Sequence, residues 1–221
     1  LNASGSAPKS LSVAALKDRG FEKIPSYGVE PIDVPGAVAG WMTLHERFGK
    51  LPLEEVMALA IRYAEEGYPV TPNISRLWQE AFENYSKYRD RPEFQGWFDT
   101  FAPNNTWLKP GEMFRCPDMA KTLKEIAATK GESFYRGAIA EKIDAFFKKH
   151  NGFLTKEDLA AFKPEWVDPI SVNYHGVDVW ELPPNGHGIT VLMALQILKD
   201  MKLGERDCVD TMHKQIEAMK L

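Results

Sequence analysis

The segment Pro183-Pro184-Asn185-Gly186-His187-Gly188-Ile189 is the most informative local pattern in this chain of 221 residues. It follows an alternating apolar–polar stretch, 177–181, and precedes a strongly apolar stretch, 189–201, so the pattern predicts a strand that turns into a helix. Glycines in such a turn let a ligand approach the backbone, and a helix N-terminus favours anions and developing oxyanions. Asn185, Gly186, His187 and Gly188 are therefore a candidate ligand-binding turn. The alternative is a structural turn with an exposed His187.

Outward from this turn, the chain reads as one helix-rich domain, residues 1–221. Apolar residues alternate over 170–174 and 177–181, and His175-Gly176 between them predicts a β-hairpin. Thr155 and Asp158 have the spacing of a capping box at the start of a short helix. Residues 93–118 lose periodicity and are expected to form an irregular crossing. Apolar spacings of three and four predict the helices, which we place at 10–19, 38–48, 53–64, 73–88, 119–127, 139–147, 155–162, 189–201 and 210–221.

Composition excludes several classes of protein. The chain is 44% hydrophobic, too apolar for a disordered segment, and its apolar runs are too interrupted to span a membrane. A formal net charge of −4 argues against a nucleic-acid binder. The two cysteines and five histidines lack the spacing of a metal site, and no Gly-x-Ser-x-Gly elbow or catalytic triad is visible. We therefore expect no metal and no cofactor.

Both ends of the sequence suggest a piece of a longer gene product. The chain begins with Leu1 rather than Met, and the last helix reaches Leu221 without a glycine or proline to end it. Low cysteine content and the lack of a leader favour the cytoplasm.

Several ordered segments, taken together, resemble one known family. They are Val34-Pro35-Gly36-Ala37-Val38-Ala39-Gly40-Trp41, Phe48-Gly49-Lys50-Leu51-Pro52, Ala60 to Val70, Phe134-Tyr135-Arg136-Gly137, Gly152-Phe153-Leu154-Thr155, the turn at 183–189, and Glu217 to Leu221. Their order and spacing resemble the large subunit of γ-glutamyltransferases (γ-glutamyltranspeptidases). The Pro-Pro-Asn-Gly-x-Gly form is similar to the bacterial branch that includes proteins named cephalosporin acylases.

The resemblance implies an N-terminal-nucleophile hydrolase, in which this chain supplies the helix-rich large-subunit part of an α-β-β-α sandwich. In that family a proenzyme cleaves itself, and the new N-terminal Thr of the small subunit attacks the γ-glutamyl amide of a glutathione-type donor. The resemblance therefore implies that no catalytic residue lies in this chain. It also implies a small-subunit partner in a heterodimer, with a dimer of heterodimers as a further expectation, and a small-molecule amide substrate.

One departure from the family pattern concerns the acyl donor. The family's large subunit carries an Arg that grips the donor's carboxylate, in a segment that reads Leu1-Asn2-Ala3-Ser4-Gly5-Ser6-Ala7-Pro8 here. Ser4 and Ser6 stand where Arg is found in the two branches, and a hydroxyl cannot replace a charged fork. We place Ser4 and Ser6 in the acyl pocket, with the turn Asn185 to Gly188 as its wall. Two alternatives stay open: a non-catalytic family member that binds a small ligand or partner, and a glutaryl or cephalosporin-type acylase.

Overall fold

Amphipathic helices with apolar residues three and four positions apart make up most of the structure. The structure is a computed structural model that describes all residues, Leu1–Leu221. It contains two compact units. The helical unit comprises Gly5–Lys163, and the hairpin unit comprises Leu1–Ser4 together with Pro164–Leu221. None of the helices is long and apolar enough to cross a membrane.

The helical unit contains nine α-helices, of which seven correspond to predicted helices, while the fifth and the seventh were not predicted. The nine helices are α1 (Val13–Asp18), α2 (Ala37–Phe48), α3 (Leu53–Glu66), α4 (Pro72–Ser86), α5 (Gln95–Phe101), α6 (Pro117–Thr129), α7 (Glu132–Arg136), α8 (Ala138–Lys149) and α9 (Lys156–Ala161).

The expectation of an irregular crossing at 93–118 is wrong in part. A 3-10 turn at Pro92–Phe94 leads directly into α5, and β2 (Met113–Phe114) pairs antiparallel with β1 (Tyr68–Pro69). Phe94, Phe98 and Ala102 form a small buried cluster covered by four partly buried aromatic side chains, Phe82, Tyr85, Tyr88 and Trp97. Aromatic packing thus orders a stretch whose glycines and prolines suggested a loop.

The main core of the helical unit joins α2, α3, α6, α7, α8 and α9. Leu154 and Leu159 are among the largest fully buried side chains, and Leu159 is 0% exposed. Further members lie on the inward faces of the helices: Val38, Leu53, Met57, Ile126, Ala127, Ile139, Ala140 and Phe147.

Two polar contacts fix helix starts in this unit. The hydroxyl of Tyr135 donates to Pro35 O (2.7 Å) and accepts from the backbone N–H of Ala39 (3.0 Å), so it satisfies a free donor in the first turn of α2. Thr155 and Asp158 form the predicted capping box at the start of α9.

The hairpin unit is built on the predicted β-hairpin, β3 (Ile170–Tyr174) and β4 (Val177–Glu181). The turn residues His175 and Gly176 both have positive φ, 50° and 88°, as a tight hairpin requires. The predicted helices follow as α10 (Gly188–Leu198) and α11 (Val209–Lys220). Thr211, Ala218 and parts of α10 are buried.

Candidate functional site

The first residues of the chain are anchored by backbone pairing within the hairpin unit. Asn2 and Glu165 exchange two N–H···O bonds of 2.7 and 2.8 Å, which form an isolated antiparallel bridge. The side-chain oxygen of Asn2 then accepts the N–H of Ser4 (2.9 Å). The backbone before Ser4 is therefore fixed, while the Ser4 side chain is exposed and makes no hydrogen bond.

The next residues are anchored within the helical unit. Val34 N–H donates to Ser6 O (3.0 Å), and a Cβ atom at Gly5 would collide with the carbonyl of Val34. Only glycine fits such a close backbone approach. Ser6 is exposed, and its hydroxyl also has no hydrogen-bond partner. The two predicted serines thus lie on anchored backbone, one in each unit, with free hydroxyls.

The segment Leu1–Pro8 contains no basic side chain. Hydroxyls of this segment can donate hydrogen bonds to a carbonyl or a carboxylate, but they supply no positive charge and no bidentate fork to pair with a carboxylate.

The turn before α10 presents its polar groups to solvent. Asn185, Gly186 and His187 are exposed, and His187 occupies the N-cap position of α10 without a side-chain hydrogen bond to the helix. The imidazole and the backbone N–H groups of this turn are therefore available as donors to a ligand.

Glu181 at the end of β4 is a residue that the sequence analysis missed. A Cβ atom at Gly188 would collide with the Glu181 side chain, whose Cδ would lie 2.8 Å away. A carboxylate of the chain itself therefore lies beside the N-terminus of α10, where the helix dipole favours it. Its charge weakens the attraction of this helix start for a second anion. Only the strand–turn–helix order, which brings the end of β4 back to the start of α10, could have indicated this contact.

An open apolar groove of about 410 Å³ runs between β3 and α10. Ser171 and Gln196 are its two polar lining residues. Six apolar side chains form the rest of its walls: Ile170, Val172, Ile189, Leu192, Met193 and Ile197. Such a surface binds apolar groups of a ligand or of another polypeptide.

Neither cysteine belongs to a metal-binding group, since the structure contains no cluster of three His, Cys, Asp or Glu residues placed to hold an ion. Cys208 is the N-cap of α11, and hydrogen bonds with the side chain and backbone of Thr211 lower the pKa of its thiol. Cys116 is half-buried at the start of α6.

Comparison with known proteins places this architecture in a defined class. A cephalosporin acylase from Bacillus halodurans superimposes with a TM-score of 0.96 at 52% sequence identity, over 100% of this chain and 41% of that chain. The γ-glutamyltranspeptidase of Helicobacter pylori superimposes with a TM-score of 0.86 at 27% identity, over 99% of this chain and 63% of that chain. The chain therefore has the helix-rich large-subunit fold of the γ-glutamyltransferase and acylase members of the N-terminal-nucleophile hydrolases.

The family follows from sequence. The family model described as gamma-glutamyltranspeptidase matches residues 1–221. A glutathione hydrolase-like proenzyme of Bacillus subtilis is 31% identical over 99% of this chain and 41% of its own length. The chain belongs to the γ-glutamyltranspeptidase family. It spans about two fifths of the length of that relative.

Proposed function

We propose that this chain is the large-subunit portion of a γ-glutamyltransferase-like amidohydrolase. We also propose that residues 1–221 form a single domain of that subunit. The observation that carries the proposal is the match of the family model to the whole chain. The full protein hydrolyses or transfers an acyl amide through an N-terminal Thr that self-cleavage exposes on the small subunit. The α-amine of that Thr serves as the base, so the mechanism requires no catalytic residue from this chain.

The first experiment is intact-mass measurement and N-terminal sequencing of every chain in the purified full-length protein. We expect two chains, the second of which begins with Thr. A single uncleaved chain, or a second chain that begins with a residue without a nucleophilic side chain, would instead support a non-catalytic family member that binds a small ligand.

We propose Ser4 and Ser6 as acyl-pocket residues. Support comes from their anchored backbone and their free hydroxyls. Because the segment Leu1–Pro8 contains no basic side chain, γ-glutamyl donors are expected to bind less tightly than acyl donors with a neutral distal end.

Ser6→Arg tests this placement, since it restores a charged fork at a position where the family carries Arg. We expect the variant to raise kcat/KM for glutathione about tenfold or more, the scale of one charge-assisted hydrogen bond. Ser26→Arg adds the same charge at another exposed serine and should leave kcat/KM unchanged. A folded, processed Ser6→Arg protein without a gain would place the acyl pocket elsewhere.

The turn Asn185 to Gly188 is proposed as a wall of the same pocket, with His187 as a donor to the bound acyl group. His187→Ala should raise KM more than it lowers kcat, because a binding contact is lost and the nucleophile is not touched. His213→Ala removes another exposed imidazole, on α11, and serves as the control. Equal kinetics for both variants would leave His187 without a role.

A cephalosporin or glutaryl acylase is the second candidate activity, favoured by the 52% identity to the Bacillus halodurans protein of that name. A substrate panel of glutathione, a glutaryl amide and a neutral acyl amide separates the candidates. Preference for glutathione by the unmodified protein would exclude the acylase as the main activity.

We propose that the small subunit packs on the groove between β3 and α10, and that two such heterodimers associate. Support comes from the exposed apolar side chains of the hairpin unit, among them Trp180 (59% exposed) and Met193 (53%). Met193→Asp should reduce co-purification of the two subunits, whereas Met119→Asp, at a 49% exposed position of α6, should not. Loss of association in both variants, or in neither, would argue against this surface.

The mass of the native assembly tests the dimer of heterodimers.

A further inference from the structure

We propose that Asn185 is a site of spontaneous deamidation, which converts the turn before α10 from a neutral to an anionic form. In this reaction the backbone nitrogen of Gly186 attacks Cγ of Asn185. The Gly186 nitrogen loses its proton and the leaving amide nitrogen gains one, so the bond from Cγ to that nitrogen breaks, ammonia leaves, and a cyclic succinimide forms. One water molecule then opens the ring to aspartate or isoaspartate, so that the reaction consumes one water and releases one ammonia.

The reaction needs a backbone nitrogen that is free and a residue after Asn that does not hinder the approach. Gly186 meets both conditions, because its N–H makes no hydrogen bond and no atom lies within 4 Å of the position a Cβ would take. The side chain of Asn185 is exposed and is not held by a hydrogen bond. The glycine also lets the backbone rotate into the geometry of attack.

The chain contains a second Asn-Gly pair that lacks these conditions. The N–H of Gly152 donates to Phe147 O (2.8 Å), and the carbonyl of Asn151 accepts from Arg19 Nη1 (2.6 Å). A Cβ atom at Gly152 would also collide with the Phe147 ring, so this backbone is enclosed by neighbours. Asn151 therefore provides an internal control with the same Asn-Gly pair in an enclosed backbone.

Deamidation would place a new carboxylate three residues before Gly188, at a helix start that already has the Glu181 carboxylate beside it. The helix dipole would stabilise the new carboxylate, and repulsion from the Glu181 carboxylate would destabilise it. If the turn lines the acyl pocket, which rests on the proposed function, the anionic form should discriminate against acyl donors that carry a carboxylate.

The test is peptide mapping by mass spectrometry of the purified full-length protein during incubation at mildly alkaline pH. We expect the peptide with Asn185 to deamidate about tenfold or more faster than the peptide with Asn151. The reason is that the hydrogen bond of the Gly152 N–H must open before Asn151 can react, and tenfold corresponds to about 1.4 kcal/mol. Gly186→Ala should slow the reaction at Asn185 and leave Asn151 unchanged. Equal rates at both sites, or an intact Asn185, would overturn the proposal.

Asn185→Asp is the second variant and mimics one product. Because the mass measurement does not depend on catalysis, deamidation can be established even where the proposed activity fails. Conversely, an active enzyme with a stable Asn185 would reject this inference alone. A shift in preference away from carboxylate-bearing donors in Asn185→Asp, absent in Asn185→Gln, would connect the modification to the pocket.

Discussion

The helical unit and the hairpin unit bury their apolar residues to very different degrees. The helical unit contains most of the buried hydrophobic side chains, including the fully buried Val70, Leu154 and Leu159. The hairpin unit has four: Leu192, Ala194, Leu198 and Ala218. Its helices nevertheless carry many large apolar residues that remain exposed, such as Met193, Met212 and Ile216. The helical unit therefore has the larger core, and the exposed apolar side chains of the hairpin unit support the proposed contact with the small subunit.

The sequence of α10 illustrates this difference. Apart from Thr190 and Gln196 its side chains are apolar and are distributed around the helix, which is typical of a helix with neighbours on several sides. Helix α8, in the helical unit, instead has one apolar face and one charged face, and its apolar face is covered by the core. The pattern of α8 matches its observed environment, and the distribution of apolar residues around α10 supports the proposal that the small subunit packs there.

Leu159→Ala should have the largest effect on stability, because this side chain is 0% exposed and belongs to the main core. We expect a loss of about 3 kcal/mol in the free energy of unfolding, from lost burial and the cavity left behind. Chemical denaturation monitored by circular dichroism measures it. Leu182→Ala, at a 53% exposed leucine after β4, should change stability by less than about 0.5 kcal/mol. Similar losses in both would contradict the contrast between the units.

Tyr135→Phe should follow, with a loss of about 2 kcal/mol, because Pro35 O and the N–H of Ala39 lose a shared partner inside the core. Tyr63→Phe is the matched control, since that ring is 49% exposed. Unfolding titrations of the two variants and the parent protein give the difference. No loss in Tyr135→Phe would mean that water replaces the hydroxyl.

The same residue predicts a dependence on alkaline pH. Burial raises the pKa of Tyr135 above its ordinary value of 10.0. As pH rises, the phenol therefore loses its proton in the unfolded chain before it does so in the folded protein. The contribution of protonated Tyr135 to stability is complete below pH 10.0 and is lost as pH rises through the folded-state pKa. Tyr135→Phe should lack this component of the decline. Parallel curves of stability against pH for the two proteins would exclude it.

Local patterns in the sequence predicted the helices, the hairpin and the capping box correctly, because spacing and turn residues determine them. Helices α5 and α7 and the pairing of β1 with β2 escaped prediction, since they are short and depend on packing between separate segments. The site shows the same division. The turn at 185–188 was visible in the sequence, whereas the pairing of Asn2 with Glu165 and the approach of Glu181 to Gly188 arise only from packing.

Gly176→Ala should destabilise the hairpin unit by about 1 kcal/mol. Gly176 has φ +88°, which strains an L-residue, while open space around its Cα leaves no clash. Amide exchange is compared between the variant and the parent protein. Faster exchange in β3 and β4 with unchanged exchange in α8 would show that the effect is confined to this unit. His175→Asn is the control, because asparagine tolerates the positive φ of 50° at this position. Faster exchange throughout the chain would show instead that the two units unfold together.

The smallest expected effect is an acid dependence in the helical unit. Asp144 Oδ2 accepts from Lys148 Nζ (2.6 Å), and Oδ1 accepts the N–H of Lys156 (3.1 Å) at the start of α9. The Lys148 hydrogen bond is the main cause that lowers the pKa of Asp144 below its ordinary value of 3.8. Its contribution to stability is therefore present above pH 3.8 and is lost as pH falls through the folded-state pKa.

Asp144→Asn should remove this acid-sensitive component, which urea titrations at a series of acidic pH values would measure. Asp118 provides a matched control, because Lys121 also lowers its pKa although its side chain is 90% exposed. Added salt should suppress the contribution of the exposed Asp118–Lys121 pair to stability and should preserve most of the contribution of Asp144. The reason is that the Asp144 side chain is 9% exposed and also accepts the backbone N–H of Lys156. Equal sensitivity to salt would mean that Asp144 acts as a surface ion pair, and that the start of α9 depends on Thr155 and Asp158 alone.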